Sequence, residues 1–171
     1  PVLKTSLNKV IDESIDIMVW SIRRSNMHEL LCENDNDKSQ EIFSIIETND
    51  KIFKYHLDRF KYASRFNYQE LDDHRDAAMQ ILLSLNNRLK KFSGKGEPLF
   101  LVDAKETLAD WAIWPFVRQF RIVNTTKFDQ NQDIKFLRSW LNYFFNHNKY
   151  PLVMKKNKPW TKQSCPQIFG Q

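Results

Sequence analysis

Thr107-Leu108-Ala109-Asp110-Trp111-Ala112-Ile113-Trp114-Pro115-Phe116-Val117-Arg118-Gln119-Phe120 is the stretch whose reading decides the fold. Leu108, Ala112 and Phe116 share one helical face, with Ala109, Trp111 and Phe120 close by, so the spacing predicts a mostly buried helix. Its start is written locally. The Thr107 hydroxyl can accept from the backbone N–H three residues on, and the Asp110 carboxylate can reach back to the Thr107 N–H. That is a capping box with Asp in place of Glu or Gln. A helix that opens inside a core leaves N–H groups that are costly unless paired, so the box has a structural job. Pro115 lies beyond the first turn, removes one backbone hydrogen bond, and implies a cost of about 3 kcal/mol or a kink.

The rest of the chain can build a core around that helix. A chain of 171 residues reads as one domain, or one domain plus a fragment, and buries roughly 70% of its unfolded surface. Five Trp and thirteen Phe supply the interior, each buried aromatic removing about 150–250 Å² from water. Glycine is confined to Gly94, Gly96 and Gly170, which argues against a turn-rich all-β chain and against a Gly-rich phosphate loop. The fold class expected is mainly α.

The formal charge is +5. Nucleic-acid binding would need Lys and Arg gathered on one face, whereas here they alternate with Asp and Glu through most of the chain. Only the stretch from Lys149 onward is plainly basic (Lys149, Lys155, Lys156, Lys158, Lys162), and it reads as a solvated tail open to an acidic partner. Cys32 and Cys165 form no CxxC. With no signal peptide and no long apolar run, both thiols are expected to be reduced and the protein cytoplasmic, without a membrane partner. His28, His56, His74 and His147 show no ligand spacing, so no metal site is expected.

Val2-Leu3-Lys4-Thr5 and Val10-Ile11 are β-prone pieces around a turn at Asn8 and predict a hairpin, which needs a larger body to lie on. Asp12-Glu13-Ser14 then begins a helix with Ile15, Met18, Val19 and Ile22 inward and Trp20 beside them. After a polar break at 34–37, a short helix is expected over 40–48. Asn49-Asp50 reads as a fresh N-terminus leading to a stripe of Phe53, Leu57 and Phe60. Asn67-Tyr68-Gln69-Glu70 is a second capping box opening a long helix at about 69–92, with Ala77, Ala78, Ile81, Leu82, Leu85 and Leu89 on its apolar face. Residues 93–98 form a loop and 99–102 an extended connector on the core. Beyond the central helix, which should end near 123, residues 124–133 read as a polar loop. Ile134, Leu137, Trp140, Leu141, Phe144 and Phe145 then mark an amphipathic helix. A last short helix is expected over 150–154 and an extended tail from 159.

The order of these pieces resembles a bacterial-type glutathione S-transferase with its front removed. Residues 108–120 look like that family's core helix, with Thr107 and Asp110 matching its capping box. Residues 53–62 are similar to the first long helix of the family's helical domain. Pro1-Val2-Leu3 and Val10-Ile11-Asp12-Glu13-Ser14 look like the third and fourth strands and third helix of its thioredoxin-like domain. The resemblance implies a partial thioredoxin-like remnant over 1–30 and a complete helical domain with a basic tail over 31–171.

It also implies a site. Glu13 and Ser14 match the acidic-Ser pair that holds the γ-glutamyl end of glutathione: a carboxylate pairs the ligand's ammonium, while a hydroxyl and N–H at a helix N-terminus receive its carboxylate. Ordinary helix capping by Asp12 or Ser14 is the competing account. Val2 matches the residue after the family's cis-proline, although the usual backbone contact to the cysteinyl part belongs to the residue before that proline. Pro1 has no preceding residue in this sequence and so no X–Pro bond. The strand–helix–strand with the Tyr, Ser or Cys that activates the thiol in the family has no counterpart in the sequence. Cys32 reads as a half-buried or surface thiol, and Tyr62 and Trp114 as core packing.

Two functional readings follow. In one, the chain is a glutathione S-transferase-like protein with glutathione as co-substrate and a small hydrophobic electrophile as second substrate, conjugating weakly or not at all as this chain. In the other, it is a non-catalytic interaction module whose open strand edge pairs with another chain, giving a homodimer or higher oligomer.

Overall fold

The computed structural model describes residues 1–66, 68–91, 100–156 and 158–165, and over these the chain is mainly helical with one small sheet near its start. β1 (Leu3–Lys4) and β2 (Val10–Ile11) pair antiparallel, Leu3 opposite Ile11 and Lys4 opposite Val10. The turn lies where the sequence predicts it. Asn8 adopts φ 60° and donates to the Thr5 carbonyl at 3.0 Å, while the Thr5 N–H returns to Lys9 at 2.8 Å. A short polar side chain is what makes the left-handed region accessible there.

α1 (Ser14–Arg23) follows at once, with Ile22 buried and Ile15, Met18 and Val19 packed on the core. α2 (Asn36–Thr48) begins four residues before the expected start. The polar break itself holds the cap, because Asp35 Oδ1 accepts from the Lys38 N–H at 3.2 Å.

Asn49 and Asp50 do not open a new helix. Both lie in a π-helical turn, Asn49–Phe53, that carries α2 directly into α3 (Lys54–Lys61). Asn49 keeps helical dihedrals of −59° and −47°. Its buried side chain donates sideways to Asp50 Oδ1 at 2.9 Å instead of capping. Asx residues cap only where the next backbone N–H groups lack partners, and within a continuous rod they do not. Phe53 and Leu57 are buried and Phe60 packs against them, as their spacing implies. Tyr62 corrects the core assignment: it is 36% exposed, with Lys61 Nζ and the Arg65 guanidinium 4.7 and 4.8 Å from its ring centre.

A 3-10 turn, Tyr68–Glu70, leads into α4 (Leu71–Lys91), which buries Ala78, Leu82, Leu85, Asn86 and Leu89. The expected Asn67 cap, the helix end at Phe92 and the loop through Leu99 lie outside the described residues. Phe100, Leu101 and Val102 are buried without regular structure, in keeping with a connector laid on the core.

α5 (Leu108–Val123) packs against α2 and α3 and runs unbroken through Pro115. Its deepest line is Ala109, Ile113, Val117 and Phe120, whereas Ala112 and Phe116 are only half-buried. The helix is buried as expected, but its innermost face is rotated from the predicted one.

The predicted loop at 124–133 contains a helix, α6 (Thr125–Gln130), and a 3-10 turn, Gln132–Ile134. Six residues with a single apolar anchor, Phe128, carry no readable period. Two local devices hold it. Asn124 Oδ1 accepts from the Lys127 N–H at 2.9 Å, and Arg121 grips Asp129 with two bonds of 2.8 and 2.6 Å. Asn124→Ala is expected to cost about 1 kcal/mol, read as a lower urea midpoint, and Asn124→Ser to recover most of it.

α7 (Lys135–Asn146) buries Leu137, Trp140, Leu141 and Phe144 as the periodicity requires and packs on α4 and α5. α8 (Tyr150–Val153) follows. The described part of the tail is exposed, Trp160 by 73%, apart from a turn in which Ser164 and Thr161 exchange bonds of 2.9 Å. Among the described residues no helix is long and apolar enough to cross a membrane.

Candidate functional site

The three positions expected to meet glutathione fall at one end of the β1–β2 ribbon. Glu13 is the N-cap residue of α1, with φ −92° and ψ 135°, and Ser14 is its first helical residue. Continuing the strand register sets Val2 opposite Asp12. The Glu13 carbonyl accepts from the Ile17 N–H at 3.0 Å, while its side chain makes no capping bond. The N–H groups of residues 14–16 have no acceptor within the helix, as at any helix start. Helix dipole and Ser14 hydroxyl favour an anion here, and Glu13 favours a cation. Asp12 and Asp16 add negative charge on both sides of Ser14, so the first turn as a whole is better matched to an ammonium than to a carboxylate.

Glu13 and Val2 are exposed, Val2 by 72%, and Ser14 is half-buried. The nearby cleft, about 490 Å³, is walled by β2 and α1 through Lys9, Asp12, Asp16, Trp20, Arg23 and Arg24 among others. It includes neither Glu13, Ser14 nor Val2. The structure thus gathers the three residues without enclosing them.

Thiol chemistry needs a thiolate or a donor tuned to hold one. Cys32 ends the 3-10 turn His28–Leu31 with φ 49° and lines a cleft of about 350 Å³ with Lys38 and Asp103. Burial, then the Asp103 carboxylate, push its thiol above the ordinary value, with Lys38 opposing. Lys38 is itself held by Asp103 at 2.9 Å. Cys32 is therefore protonated at neutral pH and half-buried, an unactivated thiol. The Tyr143 phenol donates to Glu106, and burial together with that bond pushes it up to about 12. Trp114 is a packing residue, stacked on Phe144 at 5.7 Å.

The Asp110 carboxylate is fully buried and accepts four hydrogen bonds. Oδ1 accepts from the Leu101 N–H and from Trp140 Nε1–H, each at 2.9 Å. Oδ2 accepts from the Thr107 N–H at 2.9 Å and the Thr107 hydroxyl at 2.8 Å. The expected capping box is present and is one half of a larger node. Burial raises the carboxyl pKa and the four donors oppose that shift. Burial outweighs them, so the carboxyl lies above the ordinary carboxylate range, and the Thr107 hydroxyl, able to accept as well as donate, is the one partner that also suits the protonated form. With its lone pairs in use, Asp110 serves the fold and offers nothing to a ligand.

Two further features escaped the sequence. An apolar cavity of about 190 Å³ lies among α3, α4, α5 and α6, lined by Phe60, Met79, Phe120 and Phe128 with Arg75 and Lys127 at its margin. On the α3–α4 seam, His56 and His74 meet with their Nδ1 atoms 2.9 Å apart. Their separation of 18 residues has no meaning until the two helices fold back on each other. Among the described residues no three His, Cys, Asp or Glu side chains form a group able to hold a metal ion.

Comparison of the chain with protein-family models, with curated proteins and with solved structures gave no match. The likeness to glutathione S-transferases rests on residues and element order alone.

Proposed function

We propose that the chain is a glutathione S-transferase-like protein that retains the γ-glutamyl subsite at Glu13 and Ser14 and, as this chain, conjugates glutathione to electrophiles weakly or not at all. The observation that carries the reading is the placing of Glu13 and Ser14 at the first turn of α1, directly behind an antiparallel ribbon. The buried, Thr107–Asp110-capped helix α5 at the heart of a helical bundle supports it. Two observations support the expectation of weak or absent turnover: the Cys32 thiol is pushed up, and the Tyr143 phenol donates its proton to Glu106.

The test has two arms. Calorimetric titration with glutathione is expected to give weak binding that Glu13→Gln and Ser14→Ala each reduce about tenfold, the loss of one charged hydrogen bond. Mixing glutathione with an electrophilic aromatic substrate should give no rate above the uncatalysed one. Absence of binding would remove the subsite, and robust turnover would remove the inactivity.

A second reading is favoured by the ribbon's surface. Val2, Leu7 and Val10 are 72%, 86% and 58% exposed, and a two-stranded ribbon leaves strand edges unpaired. In that reading the ribbon pairs with a second copy of the chain. Light scattering over micromolar concentrations distinguishes the two, a strict monomer counting against pairing.

A further inference from the structure

His56 on α3 and His74 on α4 bring Nδ1 to Nδ1 at 2.9 Å, with ring centroids 5.1 Å apart. These two distances leave about 1.1 Å between each nitrogen and the centre of its own ring, the radius of an imidazole, so the nitrogens lie close to the line joining the rings. Two imidazoles ligating one metal ion would each point at the ion and not at each other. The contact is an N–H···N hydrogen bond. One ring donates, so the other must present a bare lone pair.

We infer that His56 and His74 form a one-proton latch between α3 and α4, which survives the first protonation of the pair and is parted by the second. His74 Nε2 faces Glu70 at 3.6 Å, which favours a hydrogen on that nitrogen and leaves Nδ1 as the acceptor. His56 is then the donor, with its own Nε2 bare. A first proton taken at His56 Nε2 lets the shared proton pass to His74, which sets the charge beside Glu70 and keeps an Nδ1–H···Nδ1 bond that is now charge-assisted. A second has only the accepting Nδ1 of His56 left to occupy, beside the Arg59 charge. It sets two N–H groups face to face between two cations, and the bond is lost.

The surroundings sharpen this behaviour. From α3, Arg59 adds a positive charge and Tyr55 sets its ring edge-on to both imidazoles at 5.1 and 5.7 Å. From the turn before α4, Glu70 supplies the facing carboxylate. No charged group of α5, which also packs on α3, is among those acting on His56. Burial, then His74, then Arg59 lower the His56 pKa below its ordinary value. The sign follows. A group that holds its proton less tightly folded than unfolded stabilises the fold above its unfolded pKa, near 6.5 for histidine, and that contribution is lost as pH falls through the folded value. The latch is closed at neutral pH and opens on acidification.

Imidazole nitrogen NMR of the intact chain tests the latch directly. The expected result is two apparent pKa values for the pair at least one unit apart, a tenfold weaker second proton, with amide exchange along α3 and α4 speeding up over the second step. Two unsplit titrations, each like that of a free histidine, would overturn it. His56→Asn keeps both an amide donor and an amide acceptor near the Nδ1 position, so it can face His74 in either protonation state, but it cannot itself titrate. It should fold like wild type at pH 7.5 and lose less stability between pH 7.5 and 5. If both proteins lose the same amount, His56 plays no part and the inference fails.

Discussion

Asp110→Ala is expected to destabilise the protein by about 3–5 kcal/mol, because it strands donors from three separate segments in a dry interior. That is a large share of the roughly 5–15 kcal/mol that holds a typical domain together. The segments are the connector through Leu101, the start of α5 through Thr107, and α7 through Trp140. Asp110→Asn should recover little. One amide oxygen replaces one carboxylate oxygen, but the amide nitrogen then confronts the Thr107 N–H with more hydrogens, and only the Thr107 hydroxyl can turn to accept from it. Trp140→Phe removes a single donor and leaves the carboxylate with three, so its polar loss is smaller, about 1–2 kcal/mol, before packing changes are added. Urea unfolding followed by circular dichroism ranks the three. An Asp110→Asn protein within 1 kcal/mol of wild type would show that the node is not what fixes α5.

The second large effect is expected at Asn86. This α4 residue is 4% exposed, and its Oδ1 accepts from the Phe136 and Leu137 N–H groups at 3.0 and 3.1 Å. These belong to the first turn of α7, whose own N-cap residue, Ile134, offers no side-chain bond. Asn86 caps a helix fifty residues away. Asn86→Leu fits the apolar surroundings but leaves both N–H groups bare, at an expected cost of about 2–4 kcal/mol. Asn86→Asp keeps the acceptor and puts negative charge at the positive end of α7, so it should lose less than the leucine variant. Hydrogen exchange at Phe136 and Leu137 checks the cause: both amides should lose protection in Asn86→Leu and keep it in Asn86→Asp.

Features with short-range causes were legible in the sequence. The Asn8 turn, the Thr107–Asp110 box and the apolar stripe of α7 are each written within a few residues, and each is found where it was read. The starts of α2 and α6 were missed because their caps, Asp35 and Asn124, stand in polar surroundings that look like loop. The Asn49-Asp50 pair misled for the opposite reason, since a capping dipeptide was absorbed into a continuous rod. Nothing in the sequence tied His56 to His74, Asn86 to α7, or Leu101 and Trp140 to Asp110. Those contacts exist only after helices that are remote along the chain have packed. Of the site, Glu13 and Ser14 were legible as the opening of a helix behind a hairpin. The acidic company of Asp12 and Asp16 acquires its electrostatic meaning only once the helix axis is in place.

The partners of Asp110 also divide by how far away they lie along the chain. Two of its bonds go to Thr107, three residues away, a third to Leu101 across nine, and the last to Trp140 across thirty. Closing the thirty-residue loop costs about 1 kcal/mol more chain entropy than closing the nine-residue one. The connector and the head of α5 are thus joined at a lower entropic cost than either is joined to α7. Trp140 is the one distant donor, so a single bond ties the end of the bundle to a carboxyl group whose other three bonds lie within nine residues of chain.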